Sequence, residues 1–222
     1  MKSLTSLAEQ TNSKDGTAIR QRGKARVDKI LKAAQSILIT EGFANLSLRK
    51  IANKLGISNG NVTYYFPNKN ALLRALIEDM LKGYDREFEE EAANFPDDST
   101  GRFFAYIEYL IQDCKKADLR GFFYQIWSIA THNAVVAELR DQIYTHFLQQ
   151  AQELVRPLNP ALDELTLKNT ALTLVAMIEG LHVVFGFNPD FLRQFEGFEE
   201  TFRENAYLVA MNDTVPRRKR RA

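Results

Sequence analysis

Residues 47–73, SLRKIANKLGISNGNVTYYFPNKNALL, decide the fold. Ser47 can accept a hydrogen bond from a free backbone N–H and so start a helix. Leu48, Ile51, Ala52 and Leu55 then share one face, and Gly56 stands where a helix end favours a left-handed residue. The spacing predicts a helix over 48–55. Gly56-Ile57-Ser58 reads as a three-residue turn, with Ser58 capping a second helix over 59–65. Pro67 stops that helix, because the residue before a proline avoids helical φ/ψ. Asn68 can cap the next one, whose stripe is Leu72, Leu73, Leu76, Ile77, Met80 and Tyr84. Two short helices joined by a tight turn containing glycine are a helix-turn-helix arrangement.

Upstream, Val27, Ile30, Leu31, Ala34, Ile37 and Leu38 form an i, i+3, i+4, i+7 stripe closed by Gly42, which predicts a helix over 25–41. Residues 1–22 are polar and read as a flexible basic arm. Downstream, helices are expected over 69–91, 99–117, 119–131, 134–155, 164–186 and 197–211, with Pro157, Pro160 and Pro189 as punctuation. No segment alternates with period two, so the fold is expected to be all-α. The expected organisation is an arm over 1–22, a DNA-binding domain over 23–69, a helical ligand-binding and dimerisation domain over 70–213, and a basic tail over 214–222.

At 222 residues and 45% hydrophobic, the chain can bury a core without staples, and its one cysteine excludes a disulfide framework. Its N-terminus has no apolar core of a secretory signal, and the apolar run 172–187 is interrupted by Glu179 and His182. A cytoplasmic protein with no membrane partner is expected. The net charge of +1 hides an asymmetry: residues 1–70 carry +8, residues 71–213 carry −12, and the tail Arg217–Arg221 adds +5. A basic head on an acidic body points to a polyanion. No phosphate-binding glycine loop, serine elbow or His-Glu-x-x-His motif is present, Glu179/His182 is a lone Glu-x-x-His pair, and Cys114 has no histidine near it in sequence. Neither an enzyme nor a metal or cofactor site is expected.

The 59–65 helix supplies chemistry of another kind. Opposite its inward Val62, it presents Gly60 and Tyr64, with Asn61 and Thr63 flanking and Asn59 at its first turn: a glycine for close approach, short polar side chains for base edges, and a tyrosine for the backbone or a thymine methyl. Ser47, Arg49, Lys50, Ser58 and Lys69 are placed to meet phosphates. The whole stretch, with Ile51-Ala52-x-x-Leu55-Gly56-Ile57-Ser58, Gly60-x-x-x-Tyr64-x-Phe66 and Asn68-Lys69-x-x-Leu72-Leu73, resembles the DNA-binding domain of tetracycline-repressor (TetR) family regulators. Position 65, often histidine in that family, is Tyr65 here, whose hydroxyl can still bond a phosphate, so the resemblance implies a DNA contact there too.

The resemblance implies a homodimer that binds an inverted-repeat operator in double-stranded DNA, usually as a repressor released by a ligand. The effector is expected to be small and apolar or amphipathic, in a pocket drawn from Phe103, Tyr106, Phe123, Trp127, His132, Met177 and Glu179. The 164–186 helix is apolar nearly all round, so both its sides are expected to be covered, one of them by a partner subunit. Leu174, Ile178, Leu181, Phe185, Phe202 and Leu208 are the dimer candidates. A single-chain core is the alternative for that helix. For the function, the alternative is a ligand-independent architectural DNA-binding protein whose body only dimerises.

Overall fold

The computed structural model describes residues 5–186 and 193–212, with side chains described from Gly23 onward. Among these residues the chain is helical throughout, with no strand, and it divides into two compact units between Leu76 and Ile77. The basic tail lies outside the described residues.

The first unit holds α1 (Thr5–Glu41), a short 3₁₀ turn (Phe43–Asn45), α2 (Leu48–Leu55), α3 (Asn59–Tyr65) and the opening turns of α4 (Lys69–Ala92). Its core is the set that the spacing selects: Ile30, Leu31, Ala34, Ile37, Leu38, Ile51, Val62, Leu72 and Leu73, none more than 4% exposed. One expectation is corrected. α1 is longer than 25–41 and runs back to Thr5, through the segment read as an arm. The buried stripe begins only near Val27, so periodicity could not register the earlier turns. Once a helix is held in a core, each added residue adds a hydrogen bond, and no proline lies upstream of Pro67 to stop it.

The second unit contains the rest of α4 and α5 (Ser99–Lys115), α6 (Ala117–Ala130), α7 (Ala134–Leu158), α8 (Glu164–Val184) and α9 (Phe198–Met211). α8 packs on α7, α5 and α9, and α7 packs in turn on α5 and α6. Asn133 and Asp163 cap α7 and α8 by accepting the N–H groups of Val136 (3.1 Å) and Thr166 (2.9 Å). α7 continues past Pro157, which falls in its last turn. The largest wholly buried side chains here are Phe103, Phe122 and Phe123, each contributing about 2–3 kcal/mol by burial. α8 is long and apolar enough to cross a membrane by length and composition. It instead buries Leu167, Thr170, Ala171, Leu174, Ile178, Leu181 and His182 within the unit, with Leu165, Leu172 and Val183 left on its outer side.

Candidate nucleic-acid interface and buried cavity

In the first unit, local chemistry fixes the helix-turn-helix. Ser47 Oγ accepts the Lys50 N–H at 3.2 Å and starts α2. Gly56 ends it with φ 63° and ψ 34°, while the Ile57 and Gly56 N–H groups donate to Ala52 and Asn53 at 3.0 and 3.2 Å. That paired closure needs the left-handed residue, which glycine adopts without a Cβ penalty. Ser58 Oγ accepts the Asn61 N–H at 3.2 Å and starts α3, and Asn68 Oδ1 accepts the Ala71 N–H at 2.9 Å.

α3 is held inward by Val62 and, just beyond it, Phe66. Outward it shows Asn59, Gly60 and Asn61, all exposed, and Tyr64, which is 82% exposed and meets Tyr65 edge-on at 5.0 Å. A Cβ on Gly60 would touch only Ser58 Oγ, at 3.8 Å, so the fold itself does not require glycine there. Thr63 is half-buried and its hydroxyl turns back to donate to the Gly60 carbonyl at 3.2 Å.

The basic residues divide. Arg49 is exposed on α2. Lys50 pairs with Glu41, and Lys54 Nζ donates to Ser36 Oγ at 2.8 Å, so both brace α2 on α1. Lys69 has partners within the fold. Its ammonium donates to the Phe43 carbonyl at 2.6 Å and lies 3.4 Å from the centre of the Phe43 ring, and partial burial lowers its pKa. An ammonium held on a carbonyl and a ring ties the 3₁₀ turn to the start of α4.

In the second unit, α4, α5, α6, α7 and α8 enclose a cavity walled by Tyr84, Phe103, Tyr106, Phe123, Phe147, Leu174 and Ile178. It is narrow, about 30 Å³ of room for the centre of a water molecule, so a larger occupant must turn wall side chains aside. Its polar groups are Asp113, Cys114, Glu179 and His182. Asp113 accepts the Tyr84 hydroxyl and the Lys116 ammonium, the latter at 2.8 Å. Glu179 accepts the Tyr144 hydroxyl at 3.1 Å, and Trp127 Nε1 donates to that same oxygen at 2.6 Å. Burial raises Glu179 to about 7, partly offset by the Tyr144 hydrogen bond, and burial lowers His182 to about 4.

Residues 30–76 match the family model of bacterial regulatory proteins of the tetR family. Over 92 residues the chain is 36% identical to the HTH-type transcriptional regulator EthR of Mycolicibacterium smegmatis, covering 41% of this chain and 42% of that one. A transcriptional regulator from Pseudomonas aeruginosa shares the fold with TM-score 0.70 at 18% identity, over 84% of this chain and 89% of that one. A regulator from Saccharomonospora viridis, solved in complex with choline, does so with TM-score 0.58 at 21% identity, over 86% and 97%. Residues 30–76 thus form a tetR-family domain. The sequence match to EthR thus spans less than half of that relative, whereas the likeness of fold runs through the body.

Within the second unit the expected pocket residues separate. Phe103, Tyr106, Phe123 and Glu179 line the cavity. Trp127 stands behind it, reaching Glu179 through Tyr144. His132 and Met177 are corrected: His132 is exposed beyond the end of α6 beside Thr131, and Met177 is half-buried on α8 and outside the lining. The histidine that lines the cavity is His182, marked in sequence by its place three positions after Glu179 on the same helix. Cys114 is not without a histidine: His182 Nε2 lies 3.6 Å from its Sγ. Burial pushes that thiol well above its ordinary pKa, the reverse of an activated nucleophile.

The dimer candidates are corrected as well. Leu174 and Ile178 line the cavity, and Leu181, Phe185 and Phe202 are buried within the single chain. Of the six, Leu208 alone is exposed. An apolar helix shows no inward side in sequence, and the candidates on α8 fall on the side that this chain buries itself.

Proposed function

We propose that this chain is a ligand-responsive transcriptional regulator of the cytoplasm, acting as a repressor, which binds an inverted-repeat operator as a homodimer. The observation that carries the reading is the outward face of α3. A seven-residue helix capped at its start and anchored by Val62 and Phe66 offers solvent a glycine, two asparagines and a tyrosine 82% exposed. This is a surface shaped for groove edges and phosphates. The cavity between α5, α6, α7 and α8 supports an effector site, and the outer stripe of α8, Leu165, Leu172, Ala176 and Val183, supports a dimer face together with Leu208 on α9.

Selection of bound sequences from random double-stranded DNA tests the reading. A two-fold dimer presents two copies of one head, so the recovered motif is an inverted repeat with half-sites about one helical turn apart. A single asymmetric half-site bound by monomer overturns it. Placing the recovered operator before a reporter gives the sign: repression lowers expression.

A further inference from the structure

The polar inventory of the cavity is one-sided. Asp113 and Glu179 both line it, and no lysine or arginine does. Asp113 is held by Tyr84 and Lys116. Glu179 receives the Tyr144 hydroxyl, whose proton is steered to the carboxylate because Trp127 occupies that oxygen as a donor. Among the described residues no cation pairs with Glu179. A carboxylate taken from water without a counter-charge is costly, and a glutamine would satisfy Tyr144 as well.

The walls beside it are ring surfaces, Tyr106, Phe123 and Phe147 among them, whose faces attract cations. A further polar atom waits in the same wall. His182 is 3% exposed, and its Nδ1 has no hydrogen-bond partner. Burial keeps this imidazole neutral, so it cannot serve as the missing positive charge.

We propose that the ligand of this cavity is a lipophilic organic cation, an ammonium group on an apolar body, whose charge pairs with Glu179 while the rings enclose the rest. This rests on the reading of the cavity as the effector site and names the class that site accepts. Anionic amphiphiles, facing two carboxylates and no fixed cation, are excluded by the same inventory. The groups facing Glu179 are Asp113 and Cys114 on α5, Trp127 on α6, Tyr144 with Arg140 beyond it on α7, and His182 on its own helix. With Glu179 titrating at about 7, cation affinity rises as pH climbs toward that value, by up to about tenfold for each pH step of one, and levels off above it.

The test uses the full chain and three probes: benzyltrimethylammonium, its uncharged isostere neopentylbenzene, and 3-phenylpropionate. Calorimetric titration is expected to rank the cation first by at least tenfold, with the pH dependence above. Glu179→Gln, its fold checked by circular dichroism, is expected to erase that preference. Tyr144→Phe removes a hydrogen bond that favours the carboxylate, and is expected to move the midpoint to higher pH. Equal or tighter binding of either other probe, a cation preference that survives Glu179→Gln, or no binding of the cation overturns the proposal. Retention of the selected operator is measured in the same samples. A neutral or anionic probe that releases DNA removes the cation inference and leaves the effector site standing, whereas a chain that retains no DNA removes the regulator reading and leaves the cation result intact.

Discussion

Two glycines in helices show how a single missing methyl group is read. Gly60 on α3 and Gly83 in the middle of α4 both have room for a Cβ: at Gly60 it would meet one hydroxyl at 3.8 Å, and at Gly83 nothing within 4 Å. Glycine within a helix costs about 1 kcal/mol relative to alanine, so each is a local loss that its own surroundings do not demand. Gly83→Ala is expected to raise stability by about that much, a rise of roughly 2–4 °C in Tm by calorimetry. Gly60 lies on the exposed face beside Tyr64, where a methyl would hold a docked groove away. Gly60→Ala is expected to leave Tm level or slightly higher while weakening binding to the selected operator tenfold or more. Equal affinity for the operator in Gly60→Ala and wild type would remove close approach as the reason for glycine there.

Elements whose ends are written in neighbouring residues were legible. α2 and α3 lie where Ser47, Gly56, Ser58 and Pro67 put them, because each cap is a bond within three or four positions. The cavity was half legible, because its lining converges from five helices and only the tertiary fold decides which aromatic turns inward. α8 is the extreme case: its buried Leu174 and exposed Leu172 are alike in sequence. The same helix carries two buried titrations of opposite sign. Glu179 titrates higher folded than unfolded, so its contribution to stability is full at low pH and is lost as pH rises from about 4.5 through about 7. His182 titrates lower folded, so its contribution is full above about 6.5 and is lost as pH falls through about 4. Each is worth about 3 kcal/mol and they largely cancel in between. Urea unfolding from pH 4 to 8 should separate them. Wild type gains on Glu179→Gln as pH falls and loses to His182→Gln over nearly the same range. A difference curve that is flat with pH for either variant would mean that its group is not the buried titrating one.

At the scale of the whole molecule, charge and symmetry act together. Residues 1–70 carry a net +8 and residues 71–213 a net −12, so a polyanion is drawn to the first and repelled by the second. The proposed binding of two such heads to one operator requires a two-fold interface, and in a two-fold interface every substitution counts twice. The outer stripe of α8 offers Leu165 at 69% exposure, Leu172 at 56% and Val183 at 54%, with Leu208 on α9 at 51%. A leucine at such exposure contributes little to the fold of one chain, and about 1.5–3 kcal/mol once a partner covers it. Leu172→Glu therefore should leave Tm of the isolated chain nearly unchanged and place two carboxylates in the interface. Sedimentation is expected to show monomer, and the inverted-repeat operator to lose affinity far more than a lone half-site does. Leu174→Glu, two positions on but 4% exposed, should instead unfold the chain, because its carboxylate would face the cavity wall. If Leu172→Glu stayed dimeric while Leu174→Glu dissociated without unfolding, the partner would sit on the stripe that this structure turns inward, and the assignment of the two sides of α8 would have to be exchanged.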